Sequence, residues 1–351
     1  MSKFFDLKSL IRPNILNLKP YRSARDDFDS GILLDANENS IGAPFENELD
    51  LHRYPMPYQE ELRARIADFR KVEDSNVFVG VGSDEAIDLL FRIFCEPGKD
   101  RVLTTPPTYG MYKVSAAIND VYVDSVLLTE DFQLQVEDTL AAVTDQTKMI
   151  FLCSPNNPSG NSLRREDMIS VVEGFEGIVV VDEAYIDFSE NESFASLVNK
   201  YPNLVVLQTM SKAFGLAGIR LGIAIANPEI IDFMMKVKAP YNINKLTSEA
   251  AIRGYSNIDA MKSNVAEILS ERERVISELD EFEGVEKIFP TDANFLIFRV
   301  PEAIEVYKKL AEKGVIVRYR GNEPHCENCL RLTIGTPDEN DQFLSALKQV
   351  L

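Results

Sequence analysis

The chain has 351 residues, 45% of them hydrophobic, and its 37 Lys and Arg against 56 Asp and Glu give a formal net charge of −19. That length suits a large domain plus a small one, with a core big enough to need neither disulfides nor a structural metal. A chain this acidic repels nucleic acid and anionic membrane, and no stretch comes near the length of a membrane span.

The first residues, MSKFFDLKSLIRPNIL, carry Lys3, Asp6, Lys8 and Arg12 among their apolar residues and do not read as a signal peptide. Segment 1–45 has little core of its own. It is expected to lie against a smaller domain or to reach towards a partner subunit.

From about 76 to 225, short apolar strands alternate with helical patterns. The strands are expected at 77–82, 101–105, 121–128, 149–153, 178–182, 204–208 and 219–226. Several are nearly continuous apolar runs, as in strands covered on both faces. Strands alternating with helices argue for a mainly parallel sheet wrapped by helices. After about 245 the pattern changes to a helical run over 247–281, strands near 294–299, 315–319 and 329–334, and helical runs at 301–313 and 338–350. The expected fold class is therefore α/β: a large domain over 46–245 with a seven-stranded, mainly parallel sheet, and a smaller α+β domain over 246–351. Cys95 and Cys153 sit in apolar runs and read as reduced core residues. With the absent signal peptide they point to the cytosol.

In open α/β sheets, ligands bind beyond the carboxyl ends of the strands. The unusual polar residues fall at those ends: Ser83 and Asp84 after VFVGVG, Asn157 after MIFLC, Asp182 closing IVVVD, and Ser211 and Lys212 after LVVLQ. Desolvation there would lower the pKa of Lys212, and a neutral amine can form a Schiff base with an aldehyde. Taken alone, Lys212 reads more simply as a loop lysine. Asp182 ends a hydrophobic strand, so its charge needs a cation or hydrogen bonds; a helix cap is the plain alternative. Ile87, Leu90, Phe91 and Phe94 have helical spacing, which sets Ser83 and Asp84 at a helix start, either as an anion site or as ordinary caps. Arg331 lies within an apolar strand and Arg318 ends one, which suits an anionic ligand or a structural salt bridge. Tyr112 and Tyr122 read as packing. The run HCENC (325–329) invites a metal, but zinc needs more ligands and His52 is the only other histidine.

NNPSG (156–160), DEAY (182–185) and SKAFGLAGIRLG (211–222) resemble, in order and spacing, the signature of fold-type I aminotransferases that use pyridoxal 5'-phosphate. PYRSAR (20–25), LDANENS (34–40), RYP (53–55), FCEPGKD (94–100), PPTYGMY (106–112) and CLRLTIGT (329–336) resemble the histidinol-phosphate aminotransferase family, over nearly the whole chain. The resemblance implies that Lys212 forms the Schiff base and Asp182 pairs with the ring nitrogen. It implies that Asn157 and Tyr185 bond the ring's phenolic oxygen and that Tyr109 stacks on the ring. Ser83, Asp84, Thr209, Ser211 and Arg220 would cup the phosphate, and Tyr54 would reach it from the other subunit of a homodimer. Tyr21, Asn37, Arg318 and Arg331 would line the substrate end, where a small amino donor and a 2-oxo acid bind in turn. Threonine-phosphate decarboxylase and aromatic amino-acid aminotransferase chemistry are the alternatives within the fold. Regulators built on the same fold usually add a DNA-binding domain, for which the chain is expected to have neither spare length nor a basic patch.

Overall fold

The computed structural model describes residues 5–28, 30–46 and 48–351. Lys3 lies outside the described residues, as do the rest of 1–4, Asp29 and Asn47 within the segments 1–45 and 46–245.

Seven strands form the larger sheet: β1 (Val77–Val81), β2 (Arg101–Thr104), β3 (Tyr122–Ser125), β4 (Thr147–Cys153), β5 (Ile178–Asp182), β6 (Leu204–Thr209) and β7 (Leu221–Ala226). Their order is β1-β7-β6-β5-β4-β2-β3. The pairs β2–β3, β2–β4, β4–β5 and β5–β6 are parallel, and β7 alone runs antiparallel, to both β6 and β1. The mainly parallel sheet read from the sequence is thus the one observed. Because β7 runs backwards, its first residue shares an edge with the last residues of β1, β4, β5 and β6.

Alternate residues of each central strand enter different cores. Val179 and Val181 of β5 pack into one, beneath the helices Glu60–Arg70 and Arg165–Gly174; Ile178 and Val180 pack into the other, beneath Gly82–Phe94 and Pro228–Val237. Each such side chain taken out of water contributes roughly 1.5–3 kcal/mol, so both faces demand apolar residues. This is why IVVVD shows no period-2 alternation.

The helix Gly82–Phe94 starts as soon as β1 ends, and Ile87, Leu90, Phe91 and Phe94 form its buried stripe. Gly82 has φ +72, a left-handed conformation that a side chain would strain. A Cβ on Gly222 of β7 would lie 2.0 Å from the Gly82 carbonyl carbon and from the Ser83 nitrogen. These two glycines let β7 run against the helix start, which brings Arg220 across from Ser83 and Asp84.

Four short strands form a second, wholly antiparallel sheet: β8 (Lys287–Ile288), β9 (Phe295–Arg299), β10 (Arg318–Tyr319) and β11 (Cys329–Thr333), in the order β10-β11-β9-β8. Helices Ile258–Asp280, Ala303–Glu312 and Pro337–Val350 share its core. Several details differ from the sequence reading. Leu7, Ile11 and Ile15 of segment 1–45, expected against the smaller domain or a partner, pack instead into the core beneath the helix Gly82–Phe94. The strands expected at 121–128 and 315–319 are the four-residue β3 and the two-residue β10. The helical run over 247–281 is two helices, Lys245–Tyr255 and Ile258–Asp280. At the break, the Ser256 hydroxyl donates to the Ile252 carbonyl (3.0 Å) and the Asn257 amide to that of Arg253 (2.7 Å), so side chains take over backbone acceptors. The two-residue β8 was not foreseen, being too short to carry a pattern. Among the described residues, no helix is long and apolar enough to cross a membrane.

Candidate active site

The edge where β1, β4, β5 and β6 end and β7 begins opens into a cavity of about 400 Å³. The first sheet supplies Ser83, Asp84, Tyr109, Asn157, Asp182, Tyr185, Thr209, Ser211, Lys212 and Arg220 to its lining. The second sheet supplies Arg318 and Arg331, and the residue just after β10 supplies Arg320, which the sequence reading did not single out.

Asp182 lies at the cavity floor and is 3% exposed. Its Oδ1 accepts the Ala184 N–H (3.1 Å) and its Oδ2 accepts the Tyr112 hydroxyl (2.8 Å). Burial pushes this carboxyl up to about 6, against the downward pull of those two hydrogen bonds. Tyr112, read from sequence as packing, therefore has a second task. Its ring does pack, stacked on Phe151 at 4.7 Å, but its hydroxyl orients the buried acid. The available signal was spacing: Tyr112, in the first turn of the helix that begins at Met111, stands three residues after Tyr109. The two rings meet edge to face at 5.5 Å, and the Tyr109 hydroxyl donates to Asp84 (3.2 Å).

Lys212 reaches over the Tyr185 ring, its Nζ 5.3 Å from the centroid. Burial first, then the Arg331 charge, lower its pKa, while Asp182 partly opposes them. A lowered pKa favours the neutral amine, the form that can act as a nucleophile or base.

Opposite, Ser83 and Asp84 open a 13-residue helix whose free N–H groups and dipole favour an anion. The Arg220 guanidinium lies 3.7 Å from Asp84 and 3.5 Å from the Ser211 hydroxyl. The Thr209 hydroxyl donates to the Leu221 carbonyl and accepts the Ser211 N–H, tying the loop after β6 to the start of β7.

At the far wall, Arg318 and Arg331 are cross-strand neighbours. Arg331 donates to Asn157 Oδ1 at 2.6 Å, which leaves the Asn157 amide nitrogen for a ligand oxygen. Its partner there is a neutral amide rather than a carboxylate.

Tyr21, Asn37 and Tyr54 do not line this cavity. Tyr54 stacks on Tyr241 at 4.7 Å, beside a separate hollow of about 350 Å³ that Asn37 also lines, and Tyr21 is 70% exposed. Glu38, unnoticed in the sequence, clasps this segment. Its carboxylate accepts the Tyr54 N–H (2.6 Å), Arg25 (2.7 Å) and Arg53 (2.8 Å). Burial would raise the Glu38 pKa, but these donors overcome it and hold the group at about 2.

Residues 30–347 match the family described as aminotransferase class I and II. The chain belongs to that family. It is 51% identical to a histidinol-phosphate aminotransferase of Parabacteroides distasonis, over 98% of this chain and 99% of the relative. It is 50% identical to one of Flavobacterium johnsoniae, over 98% of each. The crystal structure of the histidinol-phosphate aminotransferase from Clostridium acetobutylicum superposes with a TM-score of 0.79 at 27% identity, covering 86% of this chain and 91% of that one. The chain is a transaminase dependent on pyridoxal phosphate. The cavity fits that group: it joins a buried carboxylate, a poorly solvated amine, a phenol in reach of a planar ring, and a helix start faced by an arginine.

Proposed function

We propose that the chain moves an amino group between histidinol phosphate and 2-oxoglutarate, the histidine-pathway step in which glutamate aminates imidazole acetol phosphate. One observation carries the reading: the Lys212 amine and the Asp182 carboxylate share a cavity with arginines of the second sheet. Bound pyridoxal phosphate supplies an aldehyde that condenses with amines and a cationic ring that withdraws electrons from the substrate carbon. Asp182, oriented by Tyr112, keeps the ring nitrogen protonated. Asn157 and Tyr185 would direct hydrogen bonds to the phenolic oxygen, and Tyr109 would stack on the ring. Ser83, Thr209, Ser211 and Arg220 hold the phosphate, with Asp84 capping the helix or binding through its N–H. Lys212 would hold the cofactor through its amine and, once freed, would take up and return the proton at its Nζ, as base and then as acid. Arg318 and Arg331 take the anionic end of both donors, a phosphate in one and a carboxylate in the other. Purified protein should form glutamate from histidinol phosphate and 2-oxoglutarate. Carbon dioxide release from threonine phosphate, without glutamate, would refute the assignment.

The active unit in this reading is a homodimer, with Tyr54 of each chain reaching the cofactor phosphate of the other, and Tyr21 and Asn37 at the substrate end. Tyr21, Phe28, Ile32, Leu34 and Ile41 are exposed between positions 21 and 41, an apolar stretch suited to a second copy. Mixing Tyr54→Ala and Lys212→Ala chains should restore activity, because each mixed dimer holds one native site. A mixture as inactive as its parents counts against the shared site. All four cysteines are free thiols, which suits the cytosol; cell fractionation checks this.

A further inference from the structure

Arg320 brings a third guanidinium into the cavity, and the reaction as set out above leaves it without a task. Its backbone is fixed, because its N–H donates to the Cys329 carbonyl across the second sheet (2.9 Å). Its side chain is not neutralised in proportion to its burial. Among the described residues the Nε is buried with no hydrogen-bond partner, and the ion pair to Glu323 spans 4.0 Å. Arg318 and Arg331 stand close by, and Arg331 has a neutral partner in Asn157. Burial, then the charge of Arg318, make the Arg320 cation harder to hold. Three guanidiniums facing one space, with a single distant carboxylate among their ion pairs to the described residues, call for more negative charge than one carboxylate brings.

The two amino donors differ in this respect. A carboxylate is planar, carries one charge and is satisfied by one guanidinium fork. A phosphate monoester is tetrahedral, carries close to two charges at neutral pH and presents three oxygens. We propose that Arg320 is a specificity-determining residue that binds the substrate phosphate and favours a phosphate-bearing donor over one that carries only carboxylates. This rests on the assignment of histidinol phosphate as donor.

The test uses the cofactor-loaded enzyme and three donors: histidinol phosphate, histidinol (the same amine without the phosphate) and glutamate. In Arg320→Gln, the preference for histidinol phosphate over histidinol, as kcat/KM, should fall about 30-fold, the worth of one hydrogen-bonding partner to a charged group. The whole fall should come from the phosphate-bearing donor, with histidinol and glutamate little changed. The Kd of inorganic phosphate for the loaded enzyme, measured by calorimetry, should rise in parallel. Arg320→Lys keeps the charge without the fork and should lose less, again with the phosphate-bearing donor alone; it also serves if Arg320→Gln melts early. Equal losses with all three donors, or unchanged kinetics and phosphate binding, overturn the role. Wild-type protein that fails to turn over histidinol phosphate overturns both this role and the assignment beneath it. Normal wild-type turnover with an indifferent Arg320→Gln overturns this role alone.

Discussion

Replacing Lys212 by alanine is expected to lower turnover by at least about 10⁴-fold, the upper end of what positioned acid–base catalysis contributes, while the protein stays folded. Two functions depend on that one amine. In the proposed function it would fix the cofactor aldehyde to the chain and would move the proton between the two carbons. No neighbour substitutes for it: Tyr185 beneath it is a phenol whose pKa burial has raised, and Arg331 cannot give up its proton. Stability should hold or improve, because burial penalises the charged amine. Borohydride should then trap no cofactor on the chain, and the yellow band of the attached cofactor should vanish. Lys212→Arg sharpens the result, since it keeps the charge and most of the length but has no neutral form. It should be as inactive as the alanine variant. Turnover retained by Lys212→Arg would show that the lysine acts by charge alone, which would sink its role as base.

Much of this arrangement was legible in the sequence because chain direction fixes where side chains gather. Asn157, Asp182 and Lys212 each follow a continuous apolar run, and a parallel sheet brings the ends of such runs to one edge. Arg220 needed more: it precedes a strand, and it reaches the same edge only because β7 runs antiparallel. The motif, rather than the strand pattern, placed it there.

What escaped reading shares a physical cause. Tyr112 uses its ring for packing and its hydroxyl for Asp182, and residue type cannot say which end matters. Arg320 sits two positions after Arg318, outside any motif, and its significance lies in what fails to neutralise it. Glu38 is one acid among many until its three donors are seen around it. Tyr21, Asn37 and Tyr54 lie apart from the cavity of their own chain, and the role inferred for them needs a second copy.

Asp182→Asn should remove both a catalytic charge and a pH dependence of stability, and the second is the cleaner reading. In the cofactor-free chain this carboxyl is raised to about 6, from an ordinary value near 4, chiefly by burial. A group with a raised folded pKa contributes stability that is fully present below its unfolded pKa and lost as pH rises through the folded one. The cofactor-free wild type should therefore lose about 3 kcal/mol, as an upper figure, between pH 4 and pH 7 relative to Asp182→Asn, whose amide does not titrate. Glu38 works in the other direction and in another window. Its pKa is depressed to about 2, so its contribution is lost as pH falls below the ordinary carboxylate range. It is also common to both proteins, so it cancels in the difference between them. In the proposed function, the ring cation of bound cofactor would make the ionised carboxylate the favoured form. The same substitution should then cost about 3–5 kcal/mol, as expected when one partner of a buried charge pair is removed. That is two to four decades when expressed in the catalytic rate. Thermal melts of the two cofactor-free proteins across pH 4–7 decide the first part, and turnover of the loaded enzymes decides the second. Melting curves that shift in parallel across that range would mean Asp182 is not the strained acid described, and a loaded Asp182→Asn enzyme with near-native turnover would mean the ring does not need it.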